Sequence, residues 1–387
     1  MFSQFCHGRV KQRLLKLGAI FLMGILNLYQ VACAAPHLIP VIWYTYENAE
    51  TARNGIATIN PVTRQERVLF EAPTGVRINA GTQSRTPRLS PNGKKLAFVT
   101  IDVDDRSAIW VMDADGSNPR KLSKEYDDAG FFWLNDDQIV LMGHPKPNPY
   151  ANLIQGKVSL FDLASDVTTP LTVKDVTLPC YADELSVRQL GWSVTNIKGT
   201  FQAIGHPEVR DGELRIVRDR EINLSTLDEV AGGCASWTDA KEKIAFLVAG
   251  RLIDDIYFTD DGGKTIKQLT HLGKDYDQAS VRTPALSPDG KWVIFRAELD
   301  HPRSHLVPIG TQIGLVKTDG SASDFLGEWG VYQAPLYWSP DSHFVATIMV
   351  PQQGETLPGE IYLIDVEKKK TMQLTSDGQA KVVFDWR

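Results

Sequence analysis

The chain has 387 residues, 47 acidic and 41 basic side chains, a formal net charge of −6 and 43% hydrophobic residues. That acidic balance excludes nucleic acid as a partner, because affinity for it rests on a basic surface, and no polybasic patch exists for a membrane. The length is enough for two or three ordinary domains, but closed all-β architectures exceed the usual domain size, so repeats must decide.

Residues 1–35 read as an export leader. Arg9, Lys11, Arg13 and Lys16 precede the apolar LGAIFLMGIL, and ACAAP supplies small residues for cleavage near Ala34 or Ala35. The apolar run is shorter than the roughly 20 residues a spanning helix needs, so no transmembrane span is expected after cleavage. The mature chain is expected in the periplasm or outside the cell, with a net charge near −10 once four basic residues are removed. Lipid anchoring at Cys33 is the lesser alternative. Bacterial lipoprotein signals resemble Leu-Ala-Gly or Leu-Ser-Ala before the cysteine, and Gln30 departs from that pattern.

Residues 36–387 read as one domain of repeated hairpins. Residues 41–71 supply three strands, VIWYTYE, GIATIN and ERVLFEA, without an inner partner. LSPNGKKLAF (89–98) then introduces a motif that returns almost unchanged as LSPDGKWVIF (286–295). Ser, Pro, Asp or Asn and Gly suit successive positions of a tight turn, and a β-branched and aromatic run follows, as in a buried strand. Degraded copies place Leu134, Ser193, Thr238 and Ser339 in the slot of Ser90 and Ser287, at intervals of 44, 59, 45, 49 and 52 residues. Each repeat continues with a third strand ending in an Asp or Gly turn (AIWVMDADGSN, DIYFTDDGG, QIGLVKTDG, EIYLIDVEK) and a fourth such as RKLS, KQLT or MQLT.

Four strands at this period predict a β-propeller, all-β throughout. The terminal VVFDWR is a lone inner-strand sequence, so it is expected to complete the N-terminal blade and remove the open sheet edge. Seven blades are favoured, or six if residues 176–232 do not form a regular blade.

TPRLSPNGKKLAFVT, AIWVMDADGSNPRKLS and TPALSPDGKWVIF resemble the WD40-like repeats of TolB-type propellers over most of residues 40–387. The resemblance implies fold and an envelope binding protein. TolB proteins also carry an α/β domain ahead of the propeller, whereas strands begin here directly after the leader, so a Tol-Pal role is not implied.

Several segments have the look of chemistry. MDADGSN (112–118) spaces Asp113, Asp115 and Asn118 somewhat like a calcium loop, without the twelve-residue length, terminal Glu and flanking helices of an EF-hand. A polar turn is expected instead. TDDGGKTI (259–266) resembles the Asp-box of sialidase-like propellers, with Thr259, Asp261, Gly263 and Thr265 in the matching slots, which implies a structural turn.

Histidines offer a sharper expectation. LMGHP, AIGHP and ELDHPRSH place His144, His206, His301 and His305 in loops between second and third strands, near the mouth of a propeller channel. The plain reading is that His-Pro is a common exit from a strand. The alternative is convergence on one ligand or one divalent transition metal, with His144, His206 and His301 as metal ligands. Oligogalacturonate lyases use a histidine-rich metal site of this general kind on a seven-bladed propeller. Trp329 and Tyr332, in the loop GEWGVYQAP, are further candidates for ligand contact, whereas Trp133, Trp192, Trp237, Trp338 and Trp386 are expected to pack between blades.

Cys180 and Cys234 lie in neighbouring repeats and form the disulfide candidate, closing a loop of about 54 residues and stabilising by about 4 kcal/mol. Gly-x-Ser-x-Gly, His-Glu-x-x-His, Walker and Cys-x-x-Cys patterns are missing. The expected function is a binding or scaffolding module for an envelope protein, peptide or glycan, with no cofactor. The alternative is a metal-assisted polysaccharide lyase or hydrolase.

Overall fold

The computed structural model describes residues 40–79, 86–122, 130–143, 157–173, 192–195, 201–225, 227, 231–237, 242–249, 252–300, 310–350 and 359–387. Its building block is the Ser-Pro turn. Ser90, Ser287 and Ser339 are buried, and each side-chain oxygen accepts the amide five residues on, from Lys95 (3.1 Å), Trp292 (3.0 Å) and Phe344 (2.9 Å). Each hydroxyl also donates to a carboxylate or amide oxygen two residues on, in Asn92, Asp289 and Asp341. Gly93 and Gly290 take φ of 71° and 68°, and in the third copy Ser342 occupies the same left-handed region at 64°. The serine hydroxyl both accepts from the next strand and donates within the turn, so no buried donor is left unpaired.

These turns join antiparallel strands into four-stranded blades. The first comprises β1 (Ile42–Glu47), β2 (Asn54–Ile59) and β3 (Glu66–Glu71). The second holds β4 (Arg77–Asn79) and β5 (Arg88–Leu89) as two pieces of an inner strand on β6 (Lys95–Ile101), then β7 (Ser107–Asp113) and β8 (Arg120–Lys121). The third runs β9 (Gly130–Trp133), β10 (Gln138–Met142), β11 (Val158–Asp162) and β12 (Val167–Val173). A meander of three strands follows, β13 (Trp192–Thr195), β14 (Phe201–Arg210) and β15 (Glu213–Asn223). The fourth blade is β16 (Ala231–Trp237), β17 (Ile244–Ala249), β18 (Asp254–Thr259) and β19 (Lys267–Gln268). The fifth is β20 (Gln278–Leu286), β21 (Trp292–Asp300), β22 (Gly310–Lys317) and the first half of β23 (Ser323–Trp338). The second half of β23 opens the sixth, with β24 (Phe344–Val350), β25 (Glu360–Asp365) and β26 (Lys370–Gln373). Finally β27 (Ala380–Trp386) returns to pair antiparallel with β1, Ile42 opposite Trp386 and Glu47 opposite Ala380.

The molecule is an all-β propeller closed by its terminal strands. Among the described residues, six blades carry four strands. Where a seventh blade is favoured by the sequence, within residues 176–232, the described residues form the three-stranded β13–β15 meander. It still fills a place in the ring. Ile204 and Ile222 pack with Ile244 and Phe246 of the fourth blade, and Leu214 packs with Phe132 and Val140 of the third. The edge of β15 also pairs parallel with β12 at Glu213 and Leu214.

Apolar faces meet between adjacent blades. Ala97, Val99 and Ile109 pack on Phe131 and Trp133, while Ile294 and Ile313 pack on Trp338 and Val345. At the closure Tyr44, Ile42 and Val383 pack on Ile348, Ile361 and Leu363. Burial of a Val, Leu, Ile or Phe side chain contributes about 1.5–3 kcal/mol, so each interface is held by several such terms. The tryptophans expected to pack between blades do so at Trp133, Trp338 and Trp386.

Polar residues repeat as faithfully. In QLT of the fourth and sixth blades, the Thr270 and Thr375 hydroxyls accept the amides of Ile256 (2.9 Å) and Ile361 (3.0 Å). The same hydroxyls donate to Asp255 (2.7 Å) and Glu360 (2.5 Å). Beside Glu360, the fully buried Lys381 ammonium meets that carboxylate at 3.0 Å, the Asp377 carboxylate and the Gln379 carbonyl. This cluster ties the closing strand to the sixth blade.

Candidate binding surface at the channel mouth

In a propeller the inner strands surround a channel, and the loops between second and third strands share a face with the links between blades. Two of those loops lie among the described residues on a neighbour's inner strand. Asn54, the first residue of β2, accepts the Ile78 amide (2.8 Å) and donates to the Val76 carbonyl (2.8 Å) of the second blade. Its counterpart Asp254 opens β18. Leu252 accepts the amide of Ala279 (3.0 Å), Ile253 bridges Ala279 in parallel, and the Asp254 carboxylate accepts the amide of Val281 (3.0 Å). Residues 252–254 therefore lie as an extended segment against the free edge of β20.

Asp254 is buried, and that burial pushes its carboxyl above the usual range, while the Val281 amide, nearby Arg282 and a bond with Ser280 oppose the shift. Across the hairpin Arg282 stands opposite Arg296, and a bulge follows at Thr283 and Pro284. Arg296 donates to Glu298 (3.1 Å), while its Nε is buried without an acceptor. Arg282 is exposed and, among the described residues, makes no hydrogen bond, though it lies near enough to the Asp254 carboxyl to favour its charged form. Like charges directly opposite in a sheet repel, and here Glu298 and Asp254 each offset only part of that repulsion.

The histidine convergence rests largely elsewhere. His144, His301 and His305 lie outside the described residues. His206 departs from its expected loop and sits inside β14 opposite Val217. The true turn comes later, at Asp211 and Gly212, whose φ of 53° and 76° suit a two-residue hairpin. Asp-Gly after Arg210 was the available signal. The His206 Nδ1 lies 2.9 and 3.0 Å from the two oxygens of Asp219. That contact fixes the ring and leaves Nε2 for another partner. Among the described residues no group of three His, Cys, Asp or Glu side chains is placed to hold a metal ion.

Trp329 and Tyr332 also depart from expectation. Their backbone belongs to β23, an uninterrupted strand of 16 residues, with Tyr332 opposite Met349. The strand serves two blades, so no loop separates them. Cys234 falls within β16, between the shifted pairs of Gly232 and Ala235, and Cys180 lies outside the described residues.

The two turns with apparent chemistry are structural. Asp261 accepts from Thr259 (2.8 Å), Thr265 (2.7 Å to its hydroxyl) and the amides of Lys264 and Thr265, which hold its carboxyl well below the usual range. Asp113 is held by Lys95 (3.0 Å) and Asn118 (2.6 Å), and Asp115 by Ser117 (2.6 Å). A cleft of about 270 Å³ between the fourth and fifth blades includes Lys243, Lys267, Thr318 and Asp319. Lys267 bonds the Asp319 carbonyl and Lys243 that of Gly290, so these two lysines join the fourth blade to the fifth, while Thr318 bonds Gly290 within the fifth.

No family model matches the chain, and no curated protein matches it. Similar solved structures include the β-propeller domain of the Trilobed protease from Pyrococcus furiosus, at 15% identity and a TM-score of 0.46, covering 87% of this chain and 92% of that one. TolB from Acinetobacter baumannii is 14% identical with a TM-score of 0.39, covering 93% and 84%. Oligogalacturonate lyase from Vibrio parahaemolyticus is 10% identical with a TM-score of 0.47, covering 86% and 84%. At these identities the likeness is one of chain architecture, and neither partner nor substrate comes with it.

Proposed function

We propose that the chain is an exported, TolB-like propeller that binds a protein or peptide of the cell envelope at the mouth of its channel. One observation carries this reading. The polar groups of the Ser-Pro turns, the QLT threonines, the Asp-box and the Lys381 cluster are satisfied within the fold, whereas beside β20 the Arg296 Nε has no acceptor and the exposed Arg282 makes no hydrogen bond among the described residues. Charge left over at the place where loops and inner strand meet is charge available to a partner. Trp329 and Tyr332 lie in the strand that joins the fifth and sixth blades, and they are proposed as contacts for the same partner. A glycan is the lesser version of this reading.

The mature protein is proposed to lie in the periplasm or outside the cell, because the basic and apolar segments of residues 1–35 have the order of an export leader. The second reading is metal-assisted cleavage of a polysaccharide. It is favoured by the orienting contact of Asp219 on His206, an arrangement common behind metal-bound imidazole.

Affinity capture tests the binding reading. Immobilised mature protein is expected to retain one envelope protein in stoichiometric amount, with retention lost when Trp329 and Tyr332 are both replaced by Ala. Enrichment no greater than on an unrelated propeller would overturn it.

A further inference from the structure

Three features meet at β20. The edge of β20 that faces away from β21 already receives an extended stretch of this chain, through the Ala279 amide on Leu252 and the Val281 amide on Asp254. Such an edge is a general docking mode for peptides, since main-chain bonds supply affinity and adjacent side chains supply selectivity. Immediately beyond Val281, the bulge at Thr283 and Pro284 shifts the register and brings Arg282 opposite Arg296. Bulges commonly re-aim side chains beside binding sites.

Among the described residues the carboxylates nearest the two guanidiniums are already engaged. Glu298 serves Arg296 from its own strand, and the buried Asp254 carboxylate, which Arg282 favours from nearby, accepts the Val281 amide and a bond with Ser280. The Arg296 Nε remains a buried donor without an acceptor, and Arg282 stays exposed and, among the described residues, unbonded. A buried guanidinium donor calls for an acceptor, and planar carboxylates match the guanidinium fork.

We propose that Arg282 and Arg296 form a carboxylate receptor at the channel mouth, and that its ligand is an acidic peptide that approaches β20 beyond Val281, past the stretch that residues 252–254 already cover. The proposal rests on the binding reading above and names its site and the chemistry of its partner. Net charge argues for specificity, because a mature chain with a net charge near −10 disfavours acidic ligands on average and holds one only at a local basic site.

The test uses the mature full chain and a fluorescent oligoglutamate peptide, with oligoglutamine of equal length as control. Oligoglutamate is expected to bind and oligoglutamine not to. Arg282→Gln is expected to weaken binding by about tenfold or more and to reduce its salt dependence, with an unchanged thermal melt because the side chain is exposed. Arg296→Lys keeps the charge but loses the fork, and is expected to lie between wild type and Arg296→Gln. Equal affinity of wild type and Arg282→Gln, or equal binding of the two peptides, would overturn the proposal. So would binding of an acidic oligosaccharide in place of the peptide. If the arginine variants leave partner capture intact, the carboxylate site falls and the binding reading stands. If neither oligoglutamate nor an envelope protein is retained, both fall.

Discussion

Trp338 Nε1 donates to the carbonyl of Ala285, 3.0 Å away and 53 residues earlier, so the inner strand of the sixth blade is latched to that of the fifth. Trp133 does the same to Arg88 at 2.9 Å between the second and third blades. In both pairs the acceptor stands two residues before the buried serine of a Ser-Pro turn. Replacing either tryptophan by Phe keeps most of the packing and removes the donor. Trp338→Phe and Trp133→Phe are each expected to cost about 1–3 kcal/mol in denaturant unfolding, and a cost near zero for both would remove the latch from the account.

The serines themselves make a matched series. Ser90→Ala, Ser287→Ala and Ser339→Ala each remove a buried acceptor of a main-chain amide. Each is expected to destabilise by about 1–3 kcal/mol, measured as a fall in melting temperature at fixed pH. Three unlike costs would mean that the turns are not equivalent.

Much of this was legible in the sequence, and the reason is physical. A turn that needs Ser, Pro, Asp and Gly at fixed offsets writes itself into the chain, and QLT does so because its threonine both donates and accepts. The closing strand was legible as well, since VVFDWR had the pattern of an inner strand with no hairpin of its own. What was not legible depends on register. Counting outward from the Ser287 turn, where Ala285 faces Ile294, would set Arg296 against Thr283, and only the bulge brings Arg282 there instead. Gly-His-Pro reads as a strand exit and so places His206 in a loop, yet β14 continues four residues to Arg210 before Asp211 and Gly212 turn it.

Closure should be essential to cooperativity. Deleting residues 380–387 removes β27 and, with it, the Lys381 ammonium from Glu360 and Asp377. The truncated chain is expected to lose its sharp thermal transition, and an unchanged melt would contradict the observed pairing of β1 and β27.

The buried cluster can be tested by itself. Lys381→Met leaves the Glu360 carboxylate buried without its partner and is expected to cost about 3–5 kcal/mol. Adding Glu360→Gln is expected to recover part of that loss. A double variant less stable than the single one would show that Glu360 is held mainly by Thr375 and Gly378.

Acid stability has a definite sign. The Asp261 carboxyl lies well below its ordinary value of 3.8 because the hydroxyls and amides of its turn favour the charged form. A depressed carboxyl contributes stability above its unfolded value and loses it as pH falls toward the folded one. Asp254, raised by burial, works in the opposite direction and costs stability as pH rises through its folded value. Asp261→Asn is therefore expected to lower the melting temperature at neutral pH and to flatten its decline below pH 3.8, as followed by melts across an acid series.

Metal analysis of the purified mature protein separates binding from metal-assisted cleavage most directly, when paired with a variant carrying Ala at His144, His206 and His301. The binding account predicts no stoichiometric metal in either protein and undiminished capture of the partner by the variant. One equivalent of a divalent transition metal in the wild type, lost in the variant, would contradict it and make the channel mouth a catalytic centre.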